Sequence, residues 1–283
     1  MMEAQVNDDR PNQGPEFDGA RLEIHGPETR ENVPSVDFKG PSLSQGKMNR
    51  SMSVGSGSGR RPNFIMTDYS LKSYFCYRDG SFENAVEACK ESVVSEDLDG
   101  QLRGAWLLTE IDHWDAEKEK MVLLTENSLL IIKYDFVAIK MLRFRRVMLH
   151  LLDTIEVGEI VYPDKSIMPP RQHGGVRLLW TKGKEISASL RWNPWKEELP
   201  YITLTDHPIS YHPKEAQTIT YRVDNFMEAL VQAVNQARPK KNIAENIPVE
   251  ERSIMVESYG SIYSMICNQS HLGFSRERNG MSF

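Results

Sequence analysis

A short run of basic residues is the feature of this 283-residue sequence that most directly suggests a binding chemistry. The run reads KMLRFRRVM from residue 140, and apolar side chains separate its cations, Lys140, Arg143, Arg145 and Arg146. Cations beside apolar groups suit an anionic lipid surface, where each cation close to the headgroups contributes about 1 kcal/mol. The alternatives are a solvated strand face with snorkelling side chains, or pairing of the cations with nearby carboxylates. We predict lipid binding at these four residues.

Histidine titrates near neutral pH, so it is the first candidate for acid–base chemistry. His207 and His212 are each followed by proline, and their spacing matches neither a helical metal pair nor a zinc finger. Asp112, His113 and Asp115 could orient one another as acid and base, but they lie where a hairpin should turn. The sequence favours a surface loop at the two histidines over a metal site, and a polar turn at Asp112, His113 and Asp115 over a catalytic site.

The cysteines also lack the spacing that chemistry requires. Cys76, Cys89 and Cys267 form no Cys-x-x-Cys pair and no zinc-like cluster, which is typical of reduced cytosolic thiols. None is followed six positions later by arginine, where a phosphatase loop carries its phosphate-binding guanidinium. The glycines of GSGSG (55–59) follow no predicted strand, so they indicate a linker rather than a nucleotide site. We expect no catalytic residue, no metal and no cofactor.

The overall charge excludes one broad class of function. The chain has 34 Lys and Arg against 40 Asp and Glu, a formal net charge of −6. Nonspecific nucleic-acid binding takes most of its affinity from cations that neutralise phosphates, so we expect no nucleic-acid partner. No apolar run approaches the ~18 residues that a bilayer-spanning helix requires. We expect a cytoplasmic protein.

Two further pairs of residues are candidates for regulation or partner binding. Ser51 and Ser53 lie beside Arg50 in a polar segment, where a basophilic kinase could add up to about two negative charges per site. Trp192 and Trp195 flank a proline, and rings of that size are either buried in a core or exposed as partner anchors. We predict phosphorylation at the serines, and both roles stay open for the tryptophans.

The sequence divides into three parts. Residues 1–63 are rich in Gly, Pro, Ser and charge, without apolar periodicity, which predicts a disordered N-terminal arm ending in a Gly/Ser linker. Aromatic and branched residues become dense afterwards, and we place a folded domain at 64–240. We expect residues 241–283 to form a C-terminal extension that packs on this domain.

The folded part shows many strands between two helices. Helical spacing after Ser81 predicts an amphipathic helix capped by that residue, and MVLLTENSLLII predicts a tight hairpin. A second helix should start with a capping box, Asn225 and Glu228, and stop before Pro239. The predicted strands lie within residues 105–114, 120–126, 128–136, 147–160, 175–181, 185–192, 201–205 and 218–223. We therefore predict an α+β fold: a pleckstrin-homology-like bent antiparallel sheet of about seven strands, closed by a C-terminal amphipathic helix.

Two long Trp-rich motifs, WLLTEIDHWDAEKEKMVLLTENSLLIIKYDF (106–136) and RWNPWKEELPYITLTDHP (191–208), resemble the tumor protein p63-regulated gene 1 family. The resemblance covers roughly residues 69–283, including the ending LGFSRERNGMSF. Members carry a domain similar to the one that follows the Sac phosphatase module of an inositol polyphosphate phosphatase. The resemblance implies a pleckstrin-homology-like fold and no enzymatic activity.

The resemblance also implies a cellular role. It implies a peripheral protein of synaptic vesicles at presynaptic terminals that self-associates, binds an active-zone scaffold protein and tunes neurotransmitter release. The expected function is a non-catalytic, vesicle-associated presynaptic adaptor. The alternative is a general phosphoinositide- or membrane-binding cytosolic regulator outside synapses.

Overall fold

The computed structural model describes residues 71–164, 166, 171, 173–181, 186–187, 199–257 and 272. The predicted arm and linker, with Ser51 and Ser53, lie outside these residues, as do Trp192 and Trp195. The strand predicted at 185–192 lies outside them too, apart from residues 186–187. In the part of the chain that is described, no helix is long and apolar enough to cross a membrane.

The described chain contains three α-helices and nine strands. The helices are α1 (Ser81–Val93), α2 (Glu96–Asp99) and α3 (Val223–Ala237). The strands are β1 (Leu102–Ile111), β2 (Glu117–Thr125), β3 (Ser128–Asp135), β4 (Lys140–Met148), β5 (Thr154–Val161), β6 (Gly174–Leu179), β7 (Tyr201–Thr205), β8 (Val249–Glu251) and β9 (Ile254–Met255). Short 3-10 turns occupy Phe75–Tyr77, Leu149–Leu151, Pro208–Tyr211, Ile219–Tyr221 and Pro239–Lys241.

All nine strands belong to one mostly antiparallel sheet, in the order β4-β3-β2-β1-β7-β6-β5-β8, with β9 also paired to β5. The predicted α+β class is confirmed, and the predicted number of about seven strands is exceeded by the short parallel strands β8 and β9. The segment between β8 and β9 lies directly against Gly158 of β5. A Cβ atom there would lie 2.2 Å from the carbonyl oxygen of Arg252, so only glycine allows this approach.

Helix α3 covers one face of the sheet. Its apolar residues recur at helical spacing and enter a fully buried core with residues from most of the strands, including Phe226, Leu230, Val234, Trp106, Leu108, Val122, Leu124 and Leu129. The Trp106 and Phe226 rings meet edge to face at 5.4 Å, and the Trp106 indole N–H donates to the Asn225 side chain at 3.0 Å. The predicted C-terminal amphipathic helix therefore packs on the sheet as a principal core element.

Helix α1 covers the opposite face. A second core joins its apolar stripe to the alternate residues of the same strands, including Phe82, Val86, Cys89, Leu107, Met121, Leu123, Leu130 and Ile132. Apolar side chains on both faces explain why β2 and β3 have near-continuous apolar runs instead of alternating apolar and polar residues. The central strands are thus sandwiched between two helical layers.

Several predicted boundaries are confirmed and others are wrong. The tight hairpin is confirmed, since only Glu126 and Asn127 connect β2 to β3. The helix after Ser81 is confirmed, but its N-cap is Gly80, which has a left-handed φ of 70°. The strand predicted at 218–223 is wrong, because Ile219–Tyr221 form a 3-10 turn.

The predicted capping box at α3 is also wrong. The helix begins at Val223, so Asn225 is inside the first turn and its side chain is occupied by Trp106. The run predicted as one strand at 147–160 is divided by the 3-10 turn Leu149–Leu151. The end of β4 and nearly all of β5 lie on either side of that turn.

Candidate functional site on the β3–β4 hairpin

The hairpin between β3 and β4 has a well-defined tip of four residues, 136–139. The Asp135 carboxylate accepts hydrogen bonds from the backbone N–H groups of Val137 and Ala138, both at 2.9 Å. Phe136 is buried and packs against Tyr134, with ring centroids 5.0 Å apart. A side-chain cap and an aromatic anchor therefore fix the turn locally.

The tip and the following strand expose an unusual amount of apolar surface. Four of the nine exposed large apolar side chains among the described residues lie here, Val137, Ile139, Leu142 and Phe144. Ile139 is 76% exposed and Val137 is 59% exposed, the two highest values in that group. A cluster of this kind marks a contact surface more often than singly scattered apolar residues do.

One face of the hairpin carries a row of cations across three strands. Lys133 of β3 lies directly opposite Arg143 of β4. On the other side of β3, Met121 is opposite Ile132, so the next position of that ladder places Lys120 beside Lys133. Lys120, Lys133 and Arg143 therefore follow one another across three adjacent strands.

The cations of this face differ in how far they are neutralised. Lys120 is buried in an ion pair with Glu110 at 3.1 Å, and burial lowers its pKa. Lys118 pairs with Asp112 at 2.7 Å. Lys133 and Lys140 are exposed, and neither forms an ion pair with any residue in the described ranges. These two ammonium groups are available to an external anion.

The four basic residues predicted from the sequence have different surroundings. Lys140 is exposed at the tip, and Arg143 is half-buried in the cation row. Arg145 donates to the carbonyl oxygen of Leu199 at 2.9 Å and lies over the Trp180 ring at 5.4 Å. Arg145 is thus engaged within the fold.

Arg146 is also engaged internally, on the other face of the sheet. Its Nε lies 2.9 Å from Oδ1 of Asp99, a fully buried carboxylate, and its Nη2 donates to the Val93 carbonyl at 2.6 Å. Asp99 further accepts from the backbone N–H of Ser95 and from the Ser128 hydroxyl. Carboxylate pairing, one of the alternatives for the basic run, applies to this residue.

Lys133 was not among the site residues predicted from the sequence, although it joins Lys120 and Arg143 in the cation row. It lies between buried residues in an apolar run and belongs to no basic cluster along the chain. Only the strand register brings it beside Arg143. The alternation of faces along β3 could have indicated its exposure, but not its neighbours.

A buried group of three polar side chains has metal-like composition. It includes His207, and the surface loop predicted at His207 and His212 is wrong, because both side chains are buried. The ligand atoms of Cys76, Glu119 and His207 all lie within 4.8 Å of one another. The His207 Nδ1 accepts the backbone N–H of Ile209 at 3.3 Å, so its Nε2 carries the proton and faces the Glu119 carboxylate at 3.0 Å. A metal would need that Nε2 as a bare acceptor, and the Ile209 N–H opposes the required tautomer. The group is a hydrogen-bonded chain that does not fit a metal.

The same geometry gives Cys76 no nucleophilic character. Burial, with the neighbouring Glu119 charge, raises the pKa of the thiol well above its ordinary value. The thiol lies 3.5 Å from the Glu119 carboxylate as a donor. A protonated, buried thiol is a structural group.

The β1–β2 connection is a polar turn, as predicted. Asp112 accepts the backbone N–H groups of Trp114 and Ala116, at 2.9 and 2.8 Å. Asp115 is fully buried, with a left-handed φ of 65°, and pairs with Arg171 at 2.8 Å. These contacts tie the turn to the β5–β6 connection and leave no acid–base pair between Asp112 and Asp115.

The described residues thus define an α+β sheet domain whose candidate site is a cationic surface hairpin with an apolar tip. Residues 73–181 match the family model hSac2, described as inositol phosphatase. The human tumor protein p63-regulated gene 1 protein is 35% identical over 225 residues, which cover 78% of this chain and 81% of that protein. The chain belongs to the tumor protein p63-regulated gene 1 family, as its Trp-rich motifs predicted.

A solved structure shows a weaker likeness. The hSac2 domain from human phosphoinositide phosphatase Sac2 is 14% identical to this chain, with a TM-score of 0.40. The match covers 64% of this chain and 93% of that domain.

Proposed function

We propose that this chain is a non-catalytic peripheral adaptor that binds anionic vesicle membranes through the β3–β4 hairpin. The observation that carries the proposal is the pair of exposed cations, Lys133 and Lys140, flanking an apolar tip. Anionic lipid surfaces attract such cations, and the attraction adds to the burial of apolar groups. Arg143 contributes from within the row, while Arg145 and Arg146 hold the hairpin in the fold.

The cellular part of the proposal is a presynaptic role. The resemblance of the Trp-rich motifs to the tumor protein p63-regulated gene 1 family is the reason for proposing a vesicle-associated adaptor that tunes neurotransmitter release. In this proposal the protein is cytoplasmic, lies on synaptic vesicles, self-associates and binds an active-zone scaffold protein. Membrane attachment would place the adaptor where such a scaffold meets the vesicle.

The architectural part of the proposal is a pleckstrin-homology-like domain. The sheet order β4-β3-β2-β1-β7-β6-β5 supports it. Helix α3, which comes after these seven strands along the chain, supports it as well. The proposal also assigns no reaction to this domain, and the protonated thiol of Cys76 supports that.

A second candidate is a phosphoinositide- or membrane-binding regulator outside synapses. It is favoured by one observation, the match of residues 73–181 to a family described as inositol phosphatase. The two candidates share the hairpin site and differ in the cell and the membrane. Tissue distribution and subcellular fractionation separate them.

The cellular test compares the association of wild type and of one double variant with synaptic vesicles in neurons. Full-length wild type and Lys133→Glu/Lys140→Glu are expressed, and synaptic vesicles are purified. The proposal expects wild type in the vesicle fraction and the double variant in the cytosol. Wild type that stays out of the vesicle fraction, or a double variant that remains in it, would refute vesicle attachment through this hairpin.

A further inference from the structure

Ile139, at the end of the hairpin tip, has two energetically unfavourable features at once. Its backbone adopts a left-handed φ of 50°, a conformation that strains a β-branched residue and that glycine or asparagine adopts readily. Its side chain is also 76% exposed, the highest value among the large apolar residues in the described ranges. Neither the backbone nor the packing of this chain favours isoleucine here.

The exposure does not result from a loosely held loop. Asp135 caps the turn through two backbone N–H groups, and the buried Phe136 fixes its first residue to the core below. Val137, two residues before Ile139, is exposed as well. The hairpin therefore holds two branched apolar side chains outwards on a rigid support. Strained residues that the surrounding structure holds in place are concentrated at functional sites.

The charges around the tip match a bilayer surface. Lys133 and Lys140 lie on either side of it, and the Asp135 carboxylate is occupied by the turn. Apolar groups between cations match the order of a membrane interface, in which anionic headgroups overlie acyl chains. This order of groups favours a lipid surface over an apolar protein groove.

We propose that Val137 and Ile139 insert into the apolar layer of an anionic bilayer while Lys133 and Lys140 contact its headgroups. The inference rests on the proposed membrane function and adds the mode of contact, which is insertion rather than electrostatic adhesion alone. The hairpin acts as a preformed wedge, so insertion requires no refolding of the tip.

The test exploits the opposite effects of Ile139→Asn on binding and stability. Full-length wild type, Ile139→Asn and Ile219→Asn are sedimented with phosphatidylserine-containing vesicles and with pure phosphatidylcholine vesicles. Ile219 is the matched control, since it is 57% exposed in a 3-10 turn outside the hairpin. Thermal unfolding of each variant is measured in parallel.

Insertion predicts that Ile139→Asn lowers the partition coefficient onto phosphatidylserine vesicles by about tenfold. A loss of this size is expected when one isoleucine side chain is no longer transferred from water into the apolar layer. Asparagine relieves the backbone strain, so the melting temperature should rise by roughly 2–4 °C. Ile219→Asn should bind as wild type does.

Equal vesicle binding by wild type and Ile139→Asn would overturn insertion and leave the electrostatic function standing. An equal loss in both Asn variants would also overturn it, because the effect would then not be specific to the tip. Wild type that binds neither kind of vesicle would overturn the membrane function itself, and insertion with it.

Discussion

The carboxylate of Asp206 accepts a hydrogen bond from the backbone N–H of Val223, the first residue of α3, at 2.7 Å. The N-cap residue, Arg222, makes no side-chain cap of its own. A residue 17 positions earlier, just after β7, therefore satisfies the first amide of the helix. This contact fixes where the main core helix starts against the sheet.

Asp206→Ala should lower the free energy of unfolding by about 1 kcal/mol, because it removes the acceptor at the helix N-terminus. Asp206→Asn keeps an oxygen acceptor at that place and removes the charge. Burial raises the pKa of Asp206 above its ordinary value of 3.8, so the folded state holds the proton more tightly than the unfolded state. The stability that protonation of Asp206 adds is thus fully present below pH 3.8 and is lost as the pH rises through the raised pKa, while the hydrogen bond to Val223 remains.

Urea unfolding at a series of pH values measures both effects. The stability of wild type relative to Asp206→Asn should decline above pH 3.8 and then level off. Glu228→Gln is the control, since this exposed carboxylate lies further along the same helix. A difference between wild type and Asp206→Asn that does not change with pH would contradict the account.

Arg146→Met should destabilise the fold by roughly 3 kcal/mol, because it leaves the buried Asp99 carboxylate without its cation. Folded Arg146→Met should still bind anionic vesicles as wild type does, since this side chain is engaged inside the protein. Chemical denaturation and vesicle sedimentation measure the two properties separately.

The control for Arg146→Met is Arg103→Met, which removes a partly exposed ion pair with Glu126 at 3.8 Å. It should cost less than about 1 kcal/mol. Arg146→Met that keeps wild-type stability and loses vesicle binding would assign Arg146 to the membrane surface instead.

Cys76 and Cys89 should resist alkylation in the native protein. Both thiols are buried, and burial raises the pKa of Cys89 to about 11 and that of Cys76 well above its ordinary value. Iodoacetamide followed by peptide mass spectrometry should modify them only as the protein unfolds in urea. Rapid modification of native Cys76 at neutral pH would reveal an activated thiolate and contradict a purely structural role.

Local pattern identified the central elements of the fold. The hairpin around Glu126 and Asn127 follows from two apolar runs and a two-residue polar break. The same reasoning fails at 218–223, where a β-branched run forms a 3-10 turn because Tyr221 is drawn into the core beside α1. Tertiary packing overrides strand propensity at that point.

The candidate site was predicted in part, because strand register decides its composition. The basic run of β4 belongs to the hairpin that carries the candidate site, with Lys140 exposed and Arg143 in the cation row. The alternation of faces separates Arg146 from that row, and its partner Asp99 lies 47 positions away. The left-handed backbone of Ile139 gives no signal in a single sequence, since isoleucine is not a typical residue for such a turn.

The most direct test of membrane attachment is sedimentation of the full-length chain with phosphatidylserine-containing vesicles at low and physiological salt. Lys133→Glu/Lys140→Glu is compared with Lys240→Glu/Lys241→Glu, which changes the net charge equally. Lys240 donates to the side chain of Asn127, in the turn at the other end of β3. Lys240 thus lies at the end of β3 that is away from the hairpin tip. Reversing Lys240 and Lys241 therefore controls for the change in overall charge.

We expect wild type and Lys240→Glu/Lys241→Glu to bind, more weakly as salt screens the charges. Lys133→Glu/Lys140→Glu should lose more than tenfold in affinity, because each cation near the headgroups contributes about 1 kcal/mol and reversal adds repulsion. Equal binding by the two double variants would contradict attachment through the β3–β4 hairpin.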